Sequence, residues 1–350
     1  MINDWYSYDL PELEEQMKAL GEKAFRAKQL FKQLHNRRAQ SFEEMTDLSQ
    51  SLKQKLNEKM PLDCLQIVQE QTEADGTGKF LLKLSDGSLI ESVLMHYHYG
   101  YSLCVSSQVG CRMGCRFCAS TLGGLQRNLS AGEMLQQLYA VEKAKDISIS
   151  HIVIMGCGEP FDNFEAVQRF MELLHHQDGK GLSYRNMTVS TCGLPEKIEA
   201  FTKWGEPVTL AISLHAPNDT VRRQIMQIAK AVSMKRLQEV CRFYADRTNK
   251  RITFEYILLR DVNDSKEAAR ELALWLKPLL PLCQVNLIMV NPVEECGYER
   301  TTTKRRDEFE AVLKQQGIPV TIRRSLGRKI DAACGQLRAK AERISNGRIN

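Results

Sequence analysis

The sequence predicts an α/β protein built on a mostly parallel sheet, and three observations carry that expectation. From about Leu129 onward, short apolar runs alternate with helical segments, the pattern of a parallel sheet wrapped by helices. Before that block come about sixty residues of helical periodicity, and then a stretch of short β-rich runs broken by turn signals. Together they predict either an open sheet or a whole or partial barrel, preceded by a small helical module and antiparallel hairpins.

In the first block, GEKAFRAKQLFKQLHNRR spaces Phe25, Leu30, Phe31 and Leu34 at helical intervals, and SFEEMTDLSQSLKQKL follows after a break. Between Leu65 and Ser107 the runs LQIVQ, KFLLKL, SLIESVLM and SLCVSS are punctuated by Asp75-Gly76 and Asp86-Gly87, dipeptides suited to tight turns. The α/β block reads HIVIMG before FEAVQRFMELLHH, MTVST before PEKIEAFTKW, and VTLAISL before a helix over NDTVRRQIMQI. It continues with ITFEYILL before SKEAARELALWLKPLL, QVNLIMV before TKRRDEFEAVLKQQ, and a last strand near PVTIRRS. Ser130 with Glu133 has capping-box spacing, and Ser265 is placed to cap the helix after it. The expected limits are a helical accessory domain at 1–62, a hairpin extension at 63–103 and an α/β core at 104–345.

The start, MINDWYSYDLPELEEQ, has no basic segment followed by an apolar run, and the most apolar later stretch is broken by Lys277 and two prolines. Neither a signal peptide nor a membrane span is expected. Eleven cysteines in such a chain point to the reducing cytoplasm, where clustered thiols bind metal or do chemistry. The net charge of +5 is unevenly spread: basic residues outnumber acidic ones about two to one from Lys18 to Lys59, and eight to two from Arg323 to Arg348. Such patches suit a polyanion, the alternative being plain solvated helix surface.

The sharpest feature is GCRMGCRFCAS, which sets Cys111, Cys115 and Cys118 in CxxxCxxC spacing just ahead of the α/β block. Three thiolates on one loop can hold three irons of a 4Fe–4S cube and leave the fourth iron open. An open iron can chelate the amino and carboxylate groups of S-adenosylmethionine and pass an electron to its sulfonium, which starts radical chemistry. A structural zinc site would want a fourth Cys or His, and no second cysteine pair is evident nearby.

The chain resembles the RlmN/Cfr family of radical S-adenosylmethionine (SAM) RNA adenine methyltransferases. The likeness runs through GEKAFRAKQLF, FEEMTDLS, IESVLM, LCVSSQVGCRMGCRFCAS, GEP, VST, ISLHAPND, FEYILL, VNDS, VNLI, NP and IDAACGQL. It implies a partial (β/α)6-type barrel, with Cys111, Cys115 and Cys118 as cluster ligands. It assigns S-adenosylmethionine contacts to Gly158, Glu159, Ser190, Ser213, Leu214, His215 and Asn291. Cys334 corresponds to the cysteine that is S-methylated, Cys104 to its resolving partner and Glu91 to the proton acceptor.

The chemistry implied has two stages. One S-adenosylmethionine methylates Cys334; a second is cleaved at the cluster, and the radical produced takes hydrogen from the S-methyl group. The carbon radical adds to the adenine ring, linking protein to RNA. Glu91 then removes the ring proton and Cys104 attacks the Cys334 sulfur to release product. The implied partners are 23S ribosomal RNA, with transfer RNA as a second substrate, and an electron donor such as flavodoxin or ferredoxin; a monomer with no membrane association is expected.

Two departures stand out. The family has Met within GMGEP where this chain has Cys157, and a run like LMPIN where it reads IMQIAKAV. Three rivals remain at this stage: methylation at carbon 8 instead of carbon 2, a radical activase acting on a protein glycine, and a zinc-stabilised RNA-binding protein.

Overall fold

The computed structural model describes residues 4–291 and 296–323, together with Leu337. Helices α1 (Leu10–Ala19), α2 (Phe25–His35) and α3 (Gln50–Lys59) form the N-terminal module. A capping box starts α1: Asp9 Oδ1 accepts from the Glu12 N–H at 2.8 Å while Glu12 Oε2 accepts from the Asp9 N–H at 2.9 Å. Leu30, Phe31 and Leu34 are buried as their spacing predicts. Phe25 is not, at 54% exposed, because it stands in the first turn with the Arg26 guanidinium over its ring.

Part of the module's positive charge is spent on docking. Arg38 reaches the buried carboxylate of Glu142 at 2.7 Å, and Lys28 and Lys32 both pair with Asp178. The Glu142 contact matters more, since a buried carboxylate is costly without a cation.

Strands β1 (Gln66–Thr72), β2 (Gly78–Lys83), β3 (Leu89–Tyr97) and β4 (Gly100–Cys104) pair antiparallel in sequence order. Their first two turns are the expected ones, with Asp75 and Asp86 accepting from the N–H two residues on. Next come β5 (Gln108–Gly110) and β6 (Leu125–Asn128), a small antiparallel ribbon apart from the main sheet, and α4 (Ala131–Lys145). The α/β series follows as β7 (Ile149–Ile154), α5 (Phe164–His175), β8 (Met187–Thr191), α6 (Pro195–Trp204), β9 (Thr209–Ser213) and α7 (Asp219–Ile225). It ends with α8 (Met234–Thr248), β10 (Ile252–Leu258), α9 (Lys266–Leu276), β11 (Cys283–Met289), α10 (Thr303–Gln315) and β12 (Val320–Ile322).

Among the described residues the main sheet runs β1-β2-β3-β4-β7-β8-β9-β10-β11-β12, with neighbours parallel from β4 onward. This is a partial (β/α) barrel carrying an antiparallel wing. The wing is continuous with the barrel, and the 103/104 limit falls inside β4. Ser130 and Ser265 cap α4 and α9 as expected, Ser130 within a reciprocal box with Glu133.

One expected element is wrong in extent. The helix over NDTVRRQIMQI stops at Ile225, because Met226 turns extended and forms a β-bridge to Cys115. Helix α8 was not anticipated.

Candidate active site

The cysteine loop is strung between the two strands of the β5/β6 ribbon. The Cys111 N–H donates to Gly124 O at 3.0 Å, the Cys118 N–H to Cys115 O at 3.1 Å, and the Thr121 hydroxyl bonds both Cys115 O and Cys118 O. Cys111, Cys115 and Cys118 thereby line one cavity of about 340 Å³ at the carboxyl ends of the parallel strands. That is where an α/β fold places its ligands.

The far side of the loop rests on the divergent segment after α7. The Arg116 N–H donates to Ile225 O, and Gly114, with φ +66°, leaves so little room that a Cβ there would lie 2.6 Å from the Gln227 side chain. The residue standing where the family has proline is thus in contact with the cluster loop.

Burial pushes the Cys111 thiol up to about 12, and burial with neighbouring Cys118 and Cys111 pushes Cys115 well above its ordinary value. Thiols so placed ionise only beside a compensating cation, as metal ligation provides. Among the described residues, no group of three or more His, Cys, Asp or Glu side chains converges as a single metal ion requires. The donor set suits a larger group: three thiols of one loop facing one cavity, each able to meet a different iron.

Of the residues assigned to S-adenosylmethionine, Gly158, Glu159, Ser190, Ser213, His215 and Asn291 all line this cavity. Gly158 has φ +109°, and a Cβ there would lie 2.7 Å from the Gln108 side chain, so only glycine fits. Glu159 is buried, which raises its pKa; its carboxylate accepts from the Phe161 N–H at 3.0 Å and the Cys192 N–H at 2.7 Å. Both oxygens are therefore oriented by backbone before any ligand arrives. Ser190 and Ser213 bring their hydroxyls within 3.3 Å of each other from the ends of β8 and β9.

His215 sits at φ +58°, and its Nδ1 accepts from the Ile257 N–H at 3.1 Å. Burial, with help from the Arg222 charge, lowers its pKa to about 3. The ring is neutral with its proton on Nε2, a donor. Leu214 differs from the others: its side chain packs into the main core and does not line the cavity.

Cys104 ends β4, is buried and lines the same cavity. Glu91 does not line it, although it shares the β3 face with Val93 and Met95, which do. It is 4% exposed and pairs at 3.0 Å with the fully buried ammonium of Lys79. Cys334 lies outside the described residues, as does most of the basic C-terminal tail.

Several residues packed around this cavity carry no obvious sequence signal. Ser106 Oγ donates to Glu91 O and accepts from the Cys157 N–H, while Gln108 Oε1 accepts from the Glu159 N–H. The SSQ run thus ties wing, Gly-rich turn and cluster loop together. Cys192 also lines the cavity, and buried Cys157 lies with its Sγ 3.6 Å from Gly110 O, so the loop has thiol neighbours that spacing did not reveal. Arg222, fully buried, donates to Cys192 O at 2.6 Å, and its Nε has no hydrogen-bond partner among the described residues.

Comparison with known proteins agrees with this geometry. Residues 4–62 match the family model of the ribosomal RNA large subunit methyltransferase N-terminal domain, and residues 105–273 match that of the radical SAM superfamily. The chain is 48% identical over 340 residues to a probable dual-specificity RNA methyltransferase RlmN of Lachnospira eligens, covering 97% of both chains. The chain belongs to the RlmN family of radical SAM methyltransferases. A Bacillus subtilis RlmN relative is 48% identical, with 96% of this chain and 93% of the relative covered. The crystal structure of a radical SAM methyltransferase from Sphaerobacter thermophilus superposes with a TM-score of 0.91 at 41% identity, covering 96% of this chain and 99% of that one. As an RlmN-family chain this protein is an S-adenosylmethionine-dependent methyltransferase. Among the described residues, no helix is long and apolar enough to cross a membrane.

Proposed function

We propose that this chain methylates a ring carbon of adenine in structured RNA. The leading target is carbon 2 of an adenine in 23S ribosomal RNA near the peptidyl-transferase centre, with a transfer-RNA adenine as a second. The observation that carries this reading is the convergence of Cys104 with Cys111, Cys115 and Cys118 on one cavity. A 4Fe–4S cluster on those three thiolates, with S-adenosylmethionine, would supply the one-electron chemistry that an electron-poor ring carbon demands.

The protein's own groups do the rest. Gly158, Glu159, Ser190, Ser213 and Asn291 hold the methyl donor, and neutral His215 offers it a hydrogen bond from Nε2. Cys334 carries the methyl group to the base and becomes bonded to the RNA. Glu91, oriented by Lys79, takes the ring proton, and the adduct's odd electron would return to the cluster. The Cys104 thiolate then attacks the Cys334 sulfur, breaking its bond to the new carbon, which gains a proton to become the methyl group as a disulfide forms. An external thiol reductant restores both cysteines. The basic surface of residues 1–62 grips phosphates, which makes binding salt-dependent. A donor such as flavodoxin or ferredoxin supplies electrons.

Nucleoside mass spectrometry of ribosomal and transfer RNA from a deletion strain tests this. Complementation with the wild-type chain restores 2-methyladenosine; Cys334→Ala does not, yet still purifies with its cluster. Recovery of 8-methyladenosine would move the reaction to carbon 8, and unchanged adenines would remove RNA as the substrate.

A further inference from the structure

Glu255 is a buried carboxylate in the wall of the cavity that no step above uses. It is 5% exposed, sits in the middle of β10 and lines the cavity together with Ser190, Ser213 and Asn291. Strand register sets it in a row across four strands: Ser213 on β9, Glu255 on β10, Asn286 on β11 and Thr321 on β12. The row is hydrogen-bonded from its outer end. Thr321 Oγ1 donates to Asn286 Oδ1 at 3.1 Å, which leaves the Asn286 amide group to donate to both Glu255 oxygens at 3.1 and 2.9 Å.

A carboxylate accepts up to about four hydrogen bonds, and one shared amide group does not fill that capacity. Burial raises the Glu255 pKa, with the Arg323 charge and the Asn286 bond opposing. A group so placed is costly to keep unless the ligand brings donors to it. The amino group of S-adenosylmethionine is not that donor, because a cluster on Cys111, Cys115 and Cys118 would chelate it at the cysteine loop. The remaining donors on the molecule are the two neighbouring hydroxyls of its ribose and the adenine amine. A vicinal diol offers two donors to the two oxygens of a carboxylate, and an acidic side chain already serves a ribose hydroxyl in dinucleotide-binding α/β folds. An internal RNA nucleotide has only one free ribose hydroxyl, its 3′ oxygen being esterified, so the match is to the methyl donor and not to the RNA.

We infer that Glu255, oriented by Asn286, is the acceptor for the ribose diol of S-adenosylmethionine. The assignment rests on the reading that this cavity takes that molecule, and adds to it the group that distinguishes ribose from deoxyribose.

Anaerobic equilibrium dialysis of the cluster-loaded protein, without RNA, tests it with S-adenosylmethionine and its 2′-deoxy and 3′-deoxy counterparts. Wild type binds the parent compound about tenfold more tightly than either deoxy form, the size expected of a hydrogen bond to a charged group. In Glu255→Gln the parent affinity falls by about the same factor while the deoxy forms bind as before, so discrimination disappears. Cluster absorbance serves as the folding control. Should that variant lose its cluster, Asn286→Ala decides, because freeing the carboxylate from its orienting amide narrows the same preference. Unchanged discrimination in both variants, or a wild type that binds all three equally, overturns the diol assignment. A wild type that binds none of the three overturns instead the reading of the cavity.

Discussion

In the barrel, Ser190, Ser213 and Asn291 reach the cavity from the carboxyl ends of β8, β9 and β11 or just beyond them; in the antiparallel wing, Glu91 and Val93 stand inside β3 and Lys79 pairs with Val93 from the first turnward residues of β2. Strand ends lead into loops, where a side chain can be replaced without disturbing its neighbours. A mid-strand residue is fixed by register, since a slip of one position turns its side chain to the opposite face. Lys79 pairs in register with Val93, and Val93 with Cys104, so the wing lines up a cation, an apolar wall and a thiol across three strands. The barrel groups thus stand mostly at loop junctions, mid-strand Glu255 excepted, whereas the wing groups are spaced by strand register.

The comparison makes Lys79 the most sensitive position. Lys79→Met removes the cation from a buried carboxylate and destabilises the fold by about 3–5 kcal/mol, whereas Ser213→Ala, at a strand end, costs about 1 kcal/mol. Urea unfolding of the two variants measures the difference. Equal losses would break the distinction between wing and barrel.

A smaller effect sharpens the barrel side. His35 in the helical module and His215 in the barrel are both lowered by burial to about 3, against an ordinary value near 6.5. The unfolded chain therefore binds protons that the folded rings refuse. Their contribution is complete above about pH 6.5 and fades as pH falls toward 3, amounting to about 2 kcal/mol per ring between neutrality and pH 5. In His215→Gln the loss of urea stability between pH 7.5 and pH 5 shrinks by about 2 kcal/mol; no change would show that the ring is protonated in the fold.

Much of this was legible in advance, for identifiable reasons. The βα alternation fixed strand after strand from HIVIMG to PVTIRRS, because buried parallel strands must be apolar and their helices amphipathic. The cysteine spacing singled out the loop, and the family likeness assigned Ser190, Ser213, His215 and Asn291 to one ligand; the fold brings all of them to one cavity. What stayed hidden depended on partners distant in sequence. The Lys79–Glu91 pair follows from hairpin register, and the early end of α7 from a bridge between Met226 and Cys115. Arg222 and Glu255 look like ordinary surface charges of a helix and a strand until the fold buries them. Cys157 and Cys192 have no telling spacing; only the strand ends bring them to the cysteine loop.

The central claim is that the methyl group travels through a cysteine-bound carbon from which hydrogen has been removed. Anaerobic turnover with S-adenosylmethionine carrying a trideuterated methyl group, read by mass spectrometry of the modified adenine, tests it most directly. Removal of one methyl hydrogen predicts a product that keeps two of the three deuteriums in its new methyl group. A product with all three would mean direct displacement and would contradict the account.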